Sequence, residues 1–286
     1  DEPTAVLTPQ ETEELFEQFL LLKKEGYTII FISHKINEVK QICDRTTVLR
    51  NGKDIGTVET KDVTPEEISK LMVGRDVILN VNKKKATFGK ELLKVNNVIG
   101  YNDDGIKVLN NVSFNLKEGQ ILGVAGVEGN GQNALAESIF GLKKVSSGEI
   151  IFQGKPITNQ PVNKIRNSAI SLIPEDRMET GIAQDLSIWE NLISDKIDKQ
   201  ELKKHGLLNM PLIKNKANQI VDNYHIKSMN IEQNINMLSG GNIQKVVVAR
   251  EMSSNPKILI ANQPTRGIDV GAQEFIWNEI LKFRDE

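Results

Sequence analysis

GVEGNGQN, at residues 126–133, is the most informative stretch of this 286-residue sequence. It follows an apolar run, and its glycines have the spacing of the phosphate-binding loop G-x-x-x-x-G-K-[ST]. In such a loop, backbone N–H groups at the start of a helix surround the phosphates. Gln132 and Asn133 stand where that pattern has a lysine and a hydroxyl. The stretch therefore predicts a strand, a loop and a helix arranged around phosphate, without the usual cation.

Two motifs further along the chain favour the same fold. LSGGN, at residues 238–242, places a serine and two glycines at the start of a helix, where N–H groups attract anions. An apolar run at residues 257–261 predicts a buried strand that ends at Asn262 and Gln263. Each motif alone also fits a plain turn or a capped helix without a ligand. Their order along the chain is more specific than any one of them, and it favours a nucleotide site.

The two ends of the chain resemble each other. DEPT at residues 1–4 and NQPT at residues 262–265 each precede a helical pattern, and they lie 261 residues apart. A self-match at this distance predicts two homologous domains, of which this chain holds the back of the first and the front of the second. The alternative is chance similarity between two helices that follow a Pro-Thr turn. Because the chain begins with Asp and its opening lacks a basic flank and an apolar run, we interpret it as a fragment.

Strands that alternate with helices along the rest of the chain are typical of an α/β fold with a parallel sheet. Apolar runs at residues 27–33 and 120–125 predict two further strands. Residues 91–98 and 108–116 alternate like antiparallel strands. A lysine-rich segment without periodicity lies near residue 85 and predicts a linker. The predicted ranges are 1–84 for the C-terminal part of a first domain, 85–90 for the linker, 91–286 for the N-terminal and central part of a second domain, and about 174–236 for an inserted helical subdomain.

Composition excludes several classes of protein. The 36 Lys and Arg residues against 38 Asp and Glu give a net charge of −2, so no overall basic field exists to recruit nucleic acid. The single cysteine, Cys43, excludes an intrachain disulfide, and no cluster of Cys and His has metal-ligand spacing. The apolar runs are far shorter than the roughly 20 residues that cross a bilayer.

In the order of its motifs, the sequence resembles the ATP-binding subunits of ABC transporters over essentially its whole length. The glycine loop is similar to the Walker A motif, residues 238–242 to the signature motif, and residues 257–263 to the Walker B strand. The resemblance implies a P-loop NTPase (ABC ATPase) of the α/β class, with an inserted helical subdomain and an antiparallel β subdomain. It also implies ATP and Mg²⁺ as ligands, a D-loop role for Asp269, and stacking of Tyr101 on adenine.

The resemblance is most specific to tandem importers of sugars and nucleosides. IPEDR at residues 173–177 and RGIDVG at residues 266–271 resemble their second domain, and GNGQ at residues 129–132 favours the nucleoside branch. A sugar importer is the alternative, and a soluble non-transport ABC module is the second alternative. Two roles remain open for Glu175 and Arg177: a surface ion pair, or coupling of the nucleotide site to the membrane partner.

The resemblance also implies partners and a location. Transmembrane permease subunits are the implied direct partners, and an extracellular substrate-binding lipoprotein is an indirect one. The tandem domains are expected to pair with each other, and no nucleic acid is expected. The implied location is peripheral, at the cytoplasmic face of the cell membrane.

In this family two ATP molecules lie between paired domains, each held by the Walker motifs of one domain and the signature of the other. For one site the resemblance implies that Asp1 holds magnesium through water, that Glu2 polarises the attacking water, and that His34 contacts the γ-phosphate. The facing signature contributes Ser239, Gly240 and Gly241.

The other site is implied to use neutral groups where a competent site has an ammonium, a hydroxyl and two carboxylates. Each lost charge-assisted hydrogen bond is worth about 1.5–3 kcal/mol. One competent and one degenerate site are therefore expected, and this chain alone is expected not to hydrolyse ATP. The residues implied for the degenerate site are Gln132, Asn133, Asn262 and Gln263, and the further nucleotide-binding residues that the resemblance implies are Tyr101, Gly126, Gly129, Asn130, Gly131 and Asp269.

Overall fold

The computed structural model describes residues 1–4, 7–50, 52–76 and 83–285. These residues form two compact units. Unit 1 consists of residues 1–82 and 267–277, and unit 2 consists of residues 83–266 and 278–286. The units do not coincide with the predicted ranges, because residues 267–277 group with unit 1. The assignment of residues 1–84 and 91–286 to two ATP-binding domains stays a prediction.

Unit 1 is built from short helices and one antiparallel hairpin. Its elements are α1 (Pro9–Lys24), α2 (Ile36–Ile42), β1 (Arg45–Arg50), β2 (Lys53–Glu59) and α3 (Pro65–Val73). The sequence sets two of the helix starts locally. Thr8 and Thr64 each accept the N–H of a glutamate three residues later, whose carboxylate accepts the N–H of the threonine in return. Ile36, Ile68 and Val270 form a small apolar core.

Unit 2 combines an antiparallel sheet, a parallel strand pair and a helical region. Its sheet strands and flanking helices are β3 (Glu91–Tyr101), β4 (Lys107–Lys117), α4 (Gln132–Phe140), β5 (Ser147–Phe152), β6 (Lys155–Pro156), α5 (Val162–Asn167) and β7 (Ile170–Ile173). The remaining elements are α6 (Ile188–Ile193), β8 (Lys203–Lys204), β9 (Leu207–Leu208), α7 (Met210–Asn223), α8 (Gly240–Met252), β10 (Ile258–Ala261) and α9 (Val270–Asp285), whose first half belongs to unit 1.

The parallel strand pair of unit 2 brings two of its loops to one edge. The antiparallel sheet has the strand order β4-β3-β5-β6, and β7 pairs in parallel with β10. In that parallel pair Ile170 lies opposite Ile258, and Ile173 lies opposite Ala261. One apolar core joins the antiparallel sheet, α4, α5 and the parallel pair. Since β7 and β10 run in the same direction, the residues that follow them, Glu175 and Asn262 among them, emerge at the same edge.

The prediction of strands at residues 27–33 and 120–125 is wrong. Neither segment forms a strand, and the parallel ladder in the described part of the chain contains β7 and β10 alone. Ile30 is 88% exposed, and Ile121, Leu122 and Val124 are exposed as well. Hydrophobicity predicted burial here, but a strand also needs a hydrogen-bonded neighbour, which local sequence does not specify.

The repeat recognised at the two ends of the sequence has a structural counterpart. Helices α1 and α9 are both 16 residues long, and both ends of α9 lie 261 residues after the corresponding ends of α1. Glu2 has a backbone φ of 45° and Gln263 has a φ of 46°, a left-handed conformation that is uncommon outside glycine. A residue of the same backbone φ therefore stands at the same distance before a helix of the same length near both ends of the chain.

No helix within the described ranges is both long enough and apolar enough to cross a membrane.

Candidate functional site

The glycine loop of unit 2 ends at the start of a helix, as its sequence predicts. Residues 121–130 are exposed, and Gly129 and Gly131 have left-handed φ values of 88° and 96°. The N–H of Asn130 donates to the Val127 carbonyl at 3.2 Å and closes a turn. Gly131 is the N-cap of α4, which has no side-chain cap. The first N–H groups of this helix are thus not capped by a side chain, the arrangement that suits an anion.

Gly131 is the glycine that the loop tolerates least. A Cβ atom at this position would overlap the carbonyl oxygen of Val108 on β4, whereas a Cβ at Gly129 meets nothing within 4 Å. We expect Gly131→Ala to lower the free energy of unfolding by about 2–4 kcal/mol, because backbone strain of about 1–3 kcal/mol adds to a clash with main chain. Gly129→Ala, which has the strain alone, serves as the matched control. Urea unfolding of both variants checks this, and equal losses would show that β4 does not confine the loop.

The neutral residues of the loop hydrogen-bond within unit 2. The Gln132 side-chain amide donates to the Val127 carbonyl at 3.0 Å, inside the loop itself. The Asn262 amide donates to the Asn133 side-chain oxygen at 2.9 Å, and Asn133 donates to Glu137 at 3.2 Å. The structure therefore brings the predicted Walker A and Walker B residues into contact, through amides.

A charged group that the sequence did not single out lies beside these amides. Arg266 Nη1 lies 2.5 Å from Glu175 Oε1, and its Nη2 lies 3.5 Å from Glu128 Oε1, in the glycine loop. Gln263 Nε2 donates to the same Glu175 oxygen at 3.1 Å. We call Glu128, Glu175, Gln263 and Arg266 the Arg266 cluster. The parallel register of β7 and β10 assembles it, and the sequence signal was the placement of an acid within the glycine loop and an arginine after the Pro-Thr turn.

The main chain that carries Arg266 is held by side chains from two other elements. The buried Gln244 side chain, on α8, donates to the Pro264 carbonyl at 2.8 Å. Arg177 Nη1 donates to the Arg266 carbonyl at 2.7 Å, and burial lowers the pKa of this guanidinium. The N–H of Arg266 donates to the Gln263 carbonyl at 3.0 Å. The turn is therefore fixed independently of its charged side chain.

The N-terminus of α8 carries the residues of the predicted signature motif. Helix α8 begins at Gly240, and Ser239, its exposed N-cap, makes no side-chain cap. The Ser239 hydroxyl instead accepts the Asn242 amide at 2.9 Å. A Cβ at Gly240 would lie 3.0 Å from Arg177 Nη2, while Gly241 is buried. The Ser239 side chain is thus exposed at the start of a helix that no side chain caps.

Unit 1 brings together Glu2 and His34, two of the three residues predicted to act at the competent site. His34 Nδ1 contacts Glu2 Oε1 across 32 residues of sequence, and the Glu2 N–H donates to the Ile32 carbonyl at 2.8 Å. The adjoining turn is fixed, because Lys35 Nζ donates to the Thr4 carbonyl at 2.8 Å. Asp1 is exposed beside Glu2. The contact places a carboxylate and an imidazole side by side, so both can reach the same bound molecule.

Two further predicted residues, Tyr101 and Asp269, belong to different units. Tyr101 is 46% exposed at the end of β3 and pairs with Lys107, whose neighbour Val108 faces Gly131. The Lys107 ammonium lies 6.0 Å from the centroid of the Tyr101 ring. Asp269 belongs to unit 1, where its carboxylate accepts the Ala272 N–H at 2.9 Å near the start of α9.

The family whose description is "ABC transporter" matches residues 109–266, more than half of the chain. The whole chain is 41% identical to a glucose import ATP-binding protein of Haloferax volcanii and covers 52% of that protein. It is likewise 41% identical to a guanosine import ATP-binding protein of Bacillus subtilis, of which it covers 56%. The chain thus spans about half the length of these curated relatives.

Solved structures show the same similarity. A dimeric bacterial ABC transporter cassette superposes with a TM-score of 0.59 at 26% identity, covering 68% of this chain and 83% of the cassette. A related dimeric cassette bound to ADP and phosphate gives a TM-score of 0.58, also at 26% identity, over the same shares of the two chains.

Proposed function

The chain belongs to the ABC transporter family of ATP-binding proteins, and from this premise we propose that it is part of the energy-coupling subunit of a nucleoside importer. The observation that carries the proposal is the contrast between the two units. Unit 1 places a carboxylate, Glu2, against His34, whereas unit 2 has amides at the corresponding positions. One ATP site is then competent and the other degenerate.

At the competent site we assign the chemistry to Glu2. Its carboxylate accepts a proton from the attacking water, and His34 holds that carboxylate through Nδ1 and contacts the γ-phosphate. Ser239 and the helix N-terminus at Gly240 and Gly241 supply donors to the γ-phosphate from the second domain.

Asp1 is the residue we assign to magnesium. Carboxylate oxygens are the ligands that Mg²⁺ prefers, so Asp1 beside Glu2 fits the ion. When bound, Mg²⁺ neutralises negative charge that develops on the phosphates. The degenerate site offers the amides of Asn133 and Asn262, which bond to each other, and fits the ion less well.

Nucleosides are the proposed cargo because of the loop GNGQ at residues 129–132, and sugars are the alternative. The glucose import relative is as similar as the guanosine import relative, which keeps that alternative open. The permease and an extracellular binding lipoprotein would select the cargo. Uptake of labelled guanosine and glucose by cells that express the complete transporter separates the two.

The first test uses the 286-residue chain itself. We expect it to release no phosphate from Mg-ATP above the buffer control, because its glycine loop lacks a lysine and its carboxylate pair belongs to the other site. Malachite-green detection measures the phosphate. If the chain releases phosphate and Glu2→Gln abolishes that release, the proposed division of residues between two sites is contradicted.

A further inference from the structure

The glycine loop of unit 2 lacks the lysine of its pattern, yet a cation lies beside it. Arg266 reaches Glu128, the third residue of the loop, with Nη2 at 3.5 Å. Arg266 follows β10 by five residues, and the loop precedes α4, so the contact depends on the fold and not on sequence proximity. A guanidinium is therefore held within one side-chain length of a loop built to bind anions.

The two ion pairs of Arg266 differ in length and exposure, and the longer, more exposed pair can be replaced by a contact with another anion. The pair with Glu175 is short, at 2.5 Å, and the Glu175 side chain is only 20% exposed. The pair with Glu128 is long, at 3.5 Å, and the Glu128 side chain is 55% exposed. Exposed pairs of this kind contribute little to stability, so Nη2 can leave Glu128 at small cost.

The guanidinium is oriented before any anion arrives. Glu175 holds Nη1, and Gln263 orients Glu175 through the same oxygen. Arg177 holds the main-chain carbonyl of Arg266 at 2.7 Å. With Nη1 and the backbone fixed, the free edge of the guanidinium points to the side where Glu128 lies. Preorganised donors of this kind lose little entropy when they bind an oxyanion.

We propose that Arg266 is the phosphate-binding cation of the degenerate site. The Glu128 carboxylate occupies the position of a phosphate beside Nη2, and on nucleotide binding Nη2 donates to a phosphate oxygen instead. The proposal rests on the proposed function, in that the glycine loop binds ATP. It assigns to Arg266 the positive charge that Gln132 cannot supply, with Glu175 as its positioning residue.

The test is calorimetric titration of Mg-ATP into the 286-residue chain. Arg266→Gln is expected to weaken binding about tenfold to a hundredfold, the loss of one or two charge-assisted hydrogen bonds. Glu128→Gln is expected to strengthen binding severalfold, because it removes a competing carboxylate from the loop. Lys216→Gln removes the same charge from an exposed pair with Glu201 on the helical region, and is expected to leave affinity unchanged.

A double variant separates phosphate binding from simple neutralisation of the two acids. If Arg266 only neutralises Glu128 and Glu175, Arg266→Gln will not change the affinity for Mg-ATP when Glu128→Gln and Glu175→Gln are already present. We expect Arg266→Gln to lower the affinity at least about fivefold in that background as well. A cooperative unfolding transition shows that each variant is folded. A loss of affinity in that background supports the proposal, and no loss there overturns it.

The same titration distinguishes this proposal from the proposed function. Wild-type binding that Arg266→Gln leaves unchanged overturns the role of Arg266 alone. A wild-type chain that does not bind Mg-ATP overturns both the nucleotide role of the glycine loop and the role of Arg266.

Discussion

Replacing Glu2 with Gln is expected to lower kcat for ATP hydrolysis at least a hundredfold in a protein that carries both ATP-binding domains. Glutamine keeps the size of the side chain and its contact with His34, but it cannot accept the proton of the attacking water. General-base catalysis contributes about 10²–10⁴-fold, so we expect the site proposed to be competent to lose nearly all of its turnover. Steady-state phosphate release measures the change.

Nucleotide affinity is the control for this variant. The proposed contacts with the nucleotide come from the glycine loops and the facing signature, so Mg-ATP binding to Glu2→Gln is expected to stay within about threefold of wild type. A variant that keeps its kcat would show that another group activates water. A variant that loses affinity and kcat together would assign Glu2 to binding.

Removing the buried carboxylate of Glu251 is expected to have the largest effect on stability. Glu251, on α8, is fully buried and accepts both terminal nitrogens of Arg166 on α5, at 2.9 and 3.0 Å. It also accepts Arg250 Nε at 2.9 Å. Glu251→Ala leaves two guanidinium groups without their shared partner, so we expect a loss of about 3–5 kcal/mol in the free energy of unfolding.

Glu201 provides the matched control. It pairs with Lys216 at 3.3 Å, and both side chains are exposed. Glu201→Ala is expected to change the free energy of unfolding by less than about 0.5 kcal/mol. Urea unfolding of the 286-residue chain compares the two variants. A Glu251→Ala loss as small as that of the control would mean that the network does not couple α5 to α8.

Features encoded by a few neighbouring residues could be predicted from the sequence. The glycine loop leads into a helix at Gln132 because Gly129 and Gly131 tolerate left-handed conformations. A cap and a proline at Thr64 and Pro65 predict the start of α3. The alternation of residues 91–98 and 108–116 predicts β3 and β4, which form an antiparallel pair.

Features that depend on distant partners could not be predicted. The apolar runs at residues 27–33 and 120–125 have the composition of buried strands, yet they lack a ladder partner and their isoleucines are exposed. The Arg266 cluster combines residues from three loops that the parallel register brings together. The spacing of residues along the sequence does not reveal which strands pair or in which register.

The contact between Glu2 and His34 could be predicted in part, because the residues were identified from the sequence but their distance was not. A carboxylate before a predicted turn and a histidine about thirty residues later give no distance by themselves, and the family resemblance alone placed them in one site. The structure adds their contact and the left-handed backbone that Glu2 shares with Gln263. At this position the two turns share their backbone φ and differ in the side chain, a carboxylate in one and an amide in the other.

Gln263→Ala shows whether that difference in chemistry also separates the two ATP sites in function. The measurement is kcat for ATP hydrolysis in a protein with both domains, with wild type and Glu2→Gln assayed in the same preparation. We predict that Gln263→Ala retains at least about half of wild-type turnover, because no proton transfer depends on that amide. A loss as large as that of Glu2→Gln would contradict the account, since the two ATP sites would then contribute equally to hydrolysis.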